Sequence, residues 1–129
     1  MAVVKGKIVN DGGAPGRIIN FTAAAAISAG EALKIDSAGE VALATANDLP
    51  VAGYALTDAA VDDKVSVITG KGIILNVMTT AVVMGNILSV GSTAGALDAA
   101  TDVGADHQVL AYALETNAVS STLTKVLVV

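Results

Sequence analysis

Short apolar runs, broken by clusters of Gly, Asp, Asn and Ser, fill most of this chain. Ile18-Ile19-Asn20-Phe21-Thr22, Ala32 to Ile35, Val41 to Ala44, Val51 to Leu56, Lys64 to Thr69 and Ile73 to Val77 read as strands. Ile87 to Val90, a short piece near Ala96–Leu97, Val109 to Leu114 and Leu123 to Val128 continue the series. Lys64-Val65-Ser66-Val67 alternates polar and apolar, the mark of a half-buried strand. Asp36-Ser37-Ala38-Gly39, Gly70-Lys71-Gly72 and Gly91 to Gly95 supply turns. Strands spaced by about 8–12 residues with such turns predict an all-β small barrel or sandwich. Val, Ile and Thr fit the pleated, half-buried surface of a strand. Ala23 to Ala26 has helix propensity, but Gly30 follows closely, so a minor helix is the most this run supports. Asp98 to His107 lacks strand character and reads as a loop or a single helical turn.

The pattern occurs twice. Gly30-Glu31-Ala32-Leu33-Lys34-Ile35, Gly39-Glu40-Val41 and Tyr54-Ala55-Leu56 are echoed by Gly85-Asn86-Ile87-Leu88-Ser89-Val90, Gly95-Ala96-Leu97 and Tyr112-Ala113-Leu114. Each copy closes on an alternating strand, Val65-Ser66-Val67 in one and Val126-Leu127-Val128 in the other. The two related halves span about 28–68 and 83–128. The first carries Glu31, Lys34, Asp36 and Glu40, whereas Asn86 to Leu97 is uncharged. The first half is therefore expected to face solvent, and the second the core or a partner subunit. A repeat made of strands and turns, without reactive side chains, points to a structural or binding protein.

Residues 1–20 read as an extended N-terminal arm on a β-rich domain of 21–129. Val3-Val4-Lys5-Gly6-Lys7-Ile8-Val9 forms a candidate short strand, and Asp11-Gly12-Gly13-Ala14-Pro15-Gly16 a linker. Lys5, Lys7 and Arg17 outweigh Asp11, so the arm is basic on a chain of net charge -5. Lysines on an edge strand discourage unplanned pairing. An arm strand can also add itself to another chain's sheet.

Composition narrows the chemistry. Aromatic residues make up 2% of the chain, which weakens readings that need stacking platforms for sugars or single strands. The acidic balance disfavours direct binding of nucleic acid. With no Cys and one His, neither a disulfide scaffold nor a zinc site can be assembled. Met1 to Ile8 shows no sustained apolar signal segment. Gly72 to Leu97 is uncharged but interrupted by Asn76, Thr79, Thr80, Gly85, Asn86 and Ser89, so buried strands explain it better than a membrane span. A catalytic triad would need His107 with Asp102 or Asp106 and Ser120 or Ser121, yet no nucleophile-elbow motif is present. Asp58, Asp62 and Asp63 lack the spacing of a calcium loop and read as a solvated hairpin loop. Gly70-Lys71-Gly72 fails the phosphate-loop pattern at Val65 and Gly72. No catalytic, cofactor or metal residue is assigned.

The order of these elements resembles the head-decoration, or capsid cement, proteins of tailed bacteriophages. The matching pieces are Ser28-Ala29-Gly30-Glu31-Ala32-Leu33, Gly39-Glu40-Val41, Val51-Ala52-Gly53-Tyr54-Ala55-Leu56 with its acidic loop, Gly70-Lys71-Gly72-Ile73, Gly85-Asn86-Ile87-Leu88 and Ala111-Tyr112-Ala113-Leu114-Glu115-Thr116. The resemblance covers about residues 20–129. It implies a β-tulip-like domain with an N-terminal arm, no cofactor and no enzymatic activity. It implies a homotrimer at three-fold positions of the expanded capsid, made in the host cytoplasm and placed on the outer surface of the head. There it would clamp neighbouring copies of the major capsid protein, with no direct contact to nucleic acid or membrane. Val3, Val4, Ile8 and Val9 are the candidate strand contacts to the capsid, with Lys5, Lys7 and Arg17 steering the approach. The alternatives are another phage structural part with a similar β-domain, such as a head fibre base or tail protein, and a small hydrolase using His107.

Overall fold

The computed structural model describes residues 16–45, 51–91, 93–100 and 109–129. The protein is all-β, with no helix among the described residues. Its strands are β1 (Arg17–Thr22), β2 (Ala32–Ile35), β3 (Val41–Leu43), β4 (Gly53–Ala55) and β5 (Lys64–Thr69). They are followed by β6 (Ile74–Thr79), β7 (Ile87–Val90), β8 (Leu97–Ala99), β9 (Ala111–Ala113) and β10 (Thr122–Val128). The alanine run is too short to sustain a helix, and its first two N–H groups tie it to neighbouring segments instead. Ala23 donates to the Asp63 carbonyl at 2.8 Å and Ala24 to the Val41 carbonyl at 2.8 Å. β8 takes in Asp98 and Ala99, which the sequence assigned to a loop.

The first five strands form a sheet in the order β1-β5-β4-β2-β3, and the last five a closed barrel in the order β10-β6-β8-β7-β9. The wiring is the same. β1 pairs β5 as β6 pairs β10, and β4 joins β2 to β5 as β9 joins β7 to β10. The barrel closes through a parallel contact, Thr79 with Leu97. The sheet has its counterpart in the parallel bridge Ala23 with Val41. The bridges Ile27 with Ala59 and Val82 with Asn117 repeat the likeness.

Turn geometry repeats as well. Gly30 and Gly85 have φ of 91° and 89°, Gly39 and Gly95 have 79° and 76°, and Asp62 and Ser121 have 69° and 61°. Positive φ is cheap for glycine, which lacks Cβ, so the first two of these turns hold glycine at both copies, while the third holds Asp62 and Ser121. Each unit also begins earlier than the sequence repeat suggests. Ile18-Ile19-Asn20-Phe21 of β1 corresponds to Ile74-Leu75-Asn76-Val77 of β6, with Asn20 opposite Ser66 and Asn76 opposite Lys125. Val67 faces Ala55 as Val126 faces Ala113. Val65-Ser66-Val67 therefore corresponds to Thr124-Lys125-Val126, one pleat earlier than the sequence match. A slip of a full pleat keeps the same side chains inward, so alternation alone cannot detect it.

Each unit has a core. Ala23, Ile27, Leu33, Val41, Val65 and Val67 fill the first. Val77, Leu88, Leu97, Ala111 and Val126 fill the barrel, joined by Ala32, Ala44 and Tyr54 from the first unit. Fully burying a side chain such as Leu33 or Leu88 contributes about 1.5–3 kcal/mol. Gly95 links the units: Ala32 donates to its carbonyl, and its own N–H donates to the Ala44 carbonyl, both at 2.8 Å. Met78 donates to the Gly30 carbonyl at 2.7 Å. The charges of the first copy do not make a solvated face. Glu31, Lys34, Asp36 and Glu40 are half-buried. The Glu31 carboxylate accepts from the Ser28 N–H at 2.6 Å, and Asp36 accepts from Ala38 and Glu40 at 2.9 and 3.0 Å. These carboxylates close turns. The uncharged β7 is largely buried, as its composition implies.

Candidate functional site

The candidate chemical groups lie in loops and turns. Asp58 accepts from the Ala29 N–H at 2.7 Å. Asp62 donates its N–H to the Ala23 carbonyl at 2.8 Å. Ser121 holds a positive φ and donates its N–H to the Thr79 carbonyl at 2.9 Å. Among the described residues, no group of three or more His, Cys, Asp or Glu is placed to hold a metal ion. Gly70, Lys71 and Gly72 form the connection from β5 to β6, and the Gly72 N–H donates to the Val128 carbonyl at 2.7 Å. His107, Asp102 and Asp106 lie outside the described residues, as do Val3, Val4, Lys5, Lys7, Ile8 and Val9. Arg17 is exposed at the start of β1, opposite Thr69. No helix among the described residues is long and apolar enough to cross a membrane.

One polar network lies inside the barrel. Thr79 and Thr124, both fully buried, share a hydrogen bond of 2.6 Å. The Asn117 amide donates to Thr124 at 3.0 Å and also to Thr122. At the same positions the first unit has Ala23 and Val65, both fully buried. The network satisfies its own donors and acceptors, and no buried side-chain polar atom among the described residues lacks a partner. This is the behaviour of a structural core, since a buried group left unpaired is costly.

A cavity of about 310 Å³ lies where the units meet, with Val51, Tyr54, Lys71, Leu110 and Val128 on its wall. Burial pushes the Tyr54 phenol well above its ordinary pKa, which keeps it neutral. The rest of the wall is aliphatic apart from Thr69 and Lys71, with no His, Asp or Glu to act as a general base.

Surface geometry is more informative than the cavity. Ile74, Leu127, Tyr112 and Ile87 stand side by side across β6, β10, β9 and β7. This apolar row lies on the outside of the barrel, with Ile74 57% and Tyr112 40% exposed. The first unit has the same row, Ile18, Ile68, Tyr54 and Ala32, across β1, β5, β4 and β2. There the second unit covers the middle of the row, with Tyr54 4% and Ala32 1% exposed, while Ile18 at the β1 edge stays 63% exposed. Sequence reasoning found the two tyrosines as a repeated Tyr-Ala-Leu. Which of them is covered depends on how the units pack, and no residue pattern carries that.

No protein-family model matches the chain. No curated protein matches it. Its fold is similar to that of the head fiber gp8.5 N base in bacteriophage phi29, seen in a crystal structure. The TM-score is 0.70 at 19% sequence identity, over 88% of this chain and 94% of that one. At that identity the likeness is one of fold.

Proposed function

We propose that this chain is a non-enzymatic structural protein of a tailed-bacteriophage virion, carried on the outer surface of the head. In this reading it binds the expanded capsid as a homotrimer at three-fold positions and clamps neighbouring copies of the major capsid protein. The observation that carries the reading is the likeness to a phage head fibre base over nearly the whole of both chains. The order of glycine and apolar motifs, which resembles the decoration proteins, points the same way. A protein that binds only the assembled shell stabilises it by mass action. A weak contact repeated by each subunit of a trimer gains avidity where the geometry lets all engage. Val3, Val4, Ile8 and Val9 supply strand contacts to the shell, and Lys5, Lys7 and Arg17 steer the approach.

The second reading is that the chain is the base of a head fibre, and the same structural likeness favours it. Co-sedimentation with empty expanded heads separates the two. A decoration protein saturates the shell at three copies per three-fold position, whereas a fibre base stops well below that. Deleting residues 1–15 leaves β1 whole and should leave a folded protein that no longer pellets with heads. Undiminished binding by the truncated chain would sink the role given to the arm.

A further inference from the structure

We infer that copies of this chain associate head to tail, with Tyr112 of one copy seated against the open end of the first unit of the next. This names the self-contact surface of the homotrimer proposed above and rests on that reading. Within one chain the same contact is already made once. Tyr54 of the first unit shares a buried cluster with Ile73, Val90, Leu110 and Val128, which gather at one end of the barrel. Val128 donates its N–H to Ile73, Leu110 donates to Leu88, and Val129 donates to Leu110.

The duplication leaves one counterpart of each partner unused. Tyr112 stands where Tyr54 stands, and the end of the first unit stands where the end of the barrel stands. Ile35, opposite Val41, corresponds to Val90, opposite Leu97. Ile35 is 52% exposed against 7% for Val90, and Tyr112 is 40% exposed against 4% for Tyr54. Ile19, the counterpart of Leu75, is 46% exposed and belongs to neither buried cluster. Tyr112 and this open end lie on different units of the same chain. Their union between copies continues the interface that joins the units within a chain.

This argues for a second copy as the occupant. The surface that covers Tyr54 is the end of a unit of this fold, and another copy presents that end with Arg17, Ile19 and Ile35 exposed, while Ala52 and Thr69 border the cavity between its own units. Such a contact is heterologous, and it gives a ring when the rotation closes. Arg17 replaces Ile73 at the open end, so Tyr112 would meet a guanidinium there, a favourable partner for an aromatic face.

The absence of Cys from the chain makes a crosslinking test clean. An added Cβ at Gly16 would lie within 3.0 Å of Ile68 and 3.6 Å of Ile73, so these two side chains are neighbours. Their counterparts across copies are Leu127 and Arg17. Mixing an Arg17→Cys chain with a Leu127→Cys chain under mild oxidation should give a covalent heterodimer, with neither variant crosslinking alone. Tyr112→Arg should convert a trimer to a folded monomer by light scattering, with its β circular dichroism retained. A wild-type trimer that survives Tyr112→Arg and yields no mixed crosslink would overturn this contact and leave the trimer standing. A wild-type chain that stays monomeric at every concentration would overturn both. Loss of head binding in Tyr112→Arg with an intact trimer would assign the row to the capsid and overturn the self-contact.

Discussion

The buried threonine pair offers the sharpest test of how the two units are related. Thr79 and Thr124 are both fully buried and 2.6 Å apart. Thr124→Val removes the partner of the Thr79 hydroxyl and one acceptor of the Asn117 amide, and should cost about 1–3 kcal/mol. Thr79→Val leaves the Thr124 hydroxyl its bond from Asn117, so the loss should be nearer ~1 kcal/mol. The double variant makes the pair apolar, as Ala23 and Val65 already are in the first unit. Its loss should fall short of the summed single losses by about 1–2 kcal/mol, since two residues in one hydrogen bond couple. Against a domain stability of about 5–15 kcal/mol these changes are measurable. Urea denaturation of all four proteins at one fixed concentration, followed by far-ultraviolet circular dichroism, gives the cycle. Single losses that simply add would refute both the pairing and the equivalence of the two cores.

Tyr54→Ala should destabilise the fold by about 3–5 kcal/mol, as loss of a buried aromatic does, while Tyr112→Ala should change monomer stability by under about 1 kcal/mol; thermal melts at low concentration read the difference. Because burial raises the Tyr54 pKa above the unfolded value of about 10, the unfolded chain ionises first, so stability should fall as pH rises past about 10 and Tyr54→Phe should remove that part of the fall. Gly30→Ala should cost more than Gly39→Ala in denaturant titrations: both turns have positive φ, but a Cβ at Gly30 would meet the Leu123 side chain, whereas at Gly39 it meets nothing within 4 Å. His107→Ala should leave head binding unchanged in co-sedimentation, and a loss would revive a role for that side chain.

Much of the fold could be read from residue order. The body strands from Ile18 onward carry legible apolar runs, except that β8 extends over Asp98 and Ala99, and Gly30, Gly39, Gly85 and Gly95 mark the turns that need positive φ. The start of each unit is legible only in the likeness of Ile18-Ile19-Asn20-Phe21 to Ile74-Leu75-Asn76-Val77, because the glycine-led motifs begin after those strands. The sequence match places the last strand one pleat late, since the one Val-x-Val of β10 is Val126-Leu127-Val128 and alternation reports only which face is buried. The turn roles of Glu31 and Asp36 were hidden for another reason: charge suggests exposure, while a carboxylate close to free N–H groups of its own turn is held by them. The candidate surface was legible only as a repeated tyrosine. Its division into a covered and an uncovered copy follows from Gly95 lying between Ala32 and Ala44, a contact between distant segments.

The proposed place of this protein is the outside of a phage head, at its three-fold positions. A cryo-electron microscopic reconstruction of the virion, with the protein located by a bound antibody fragment, tests it most directly. Three copies of a two-unit β-domain are expected around each three-fold position of the expanded shell. Density confined to the foot of a fibre or to the tail, or a head with bare three-fold positions, would contradict it.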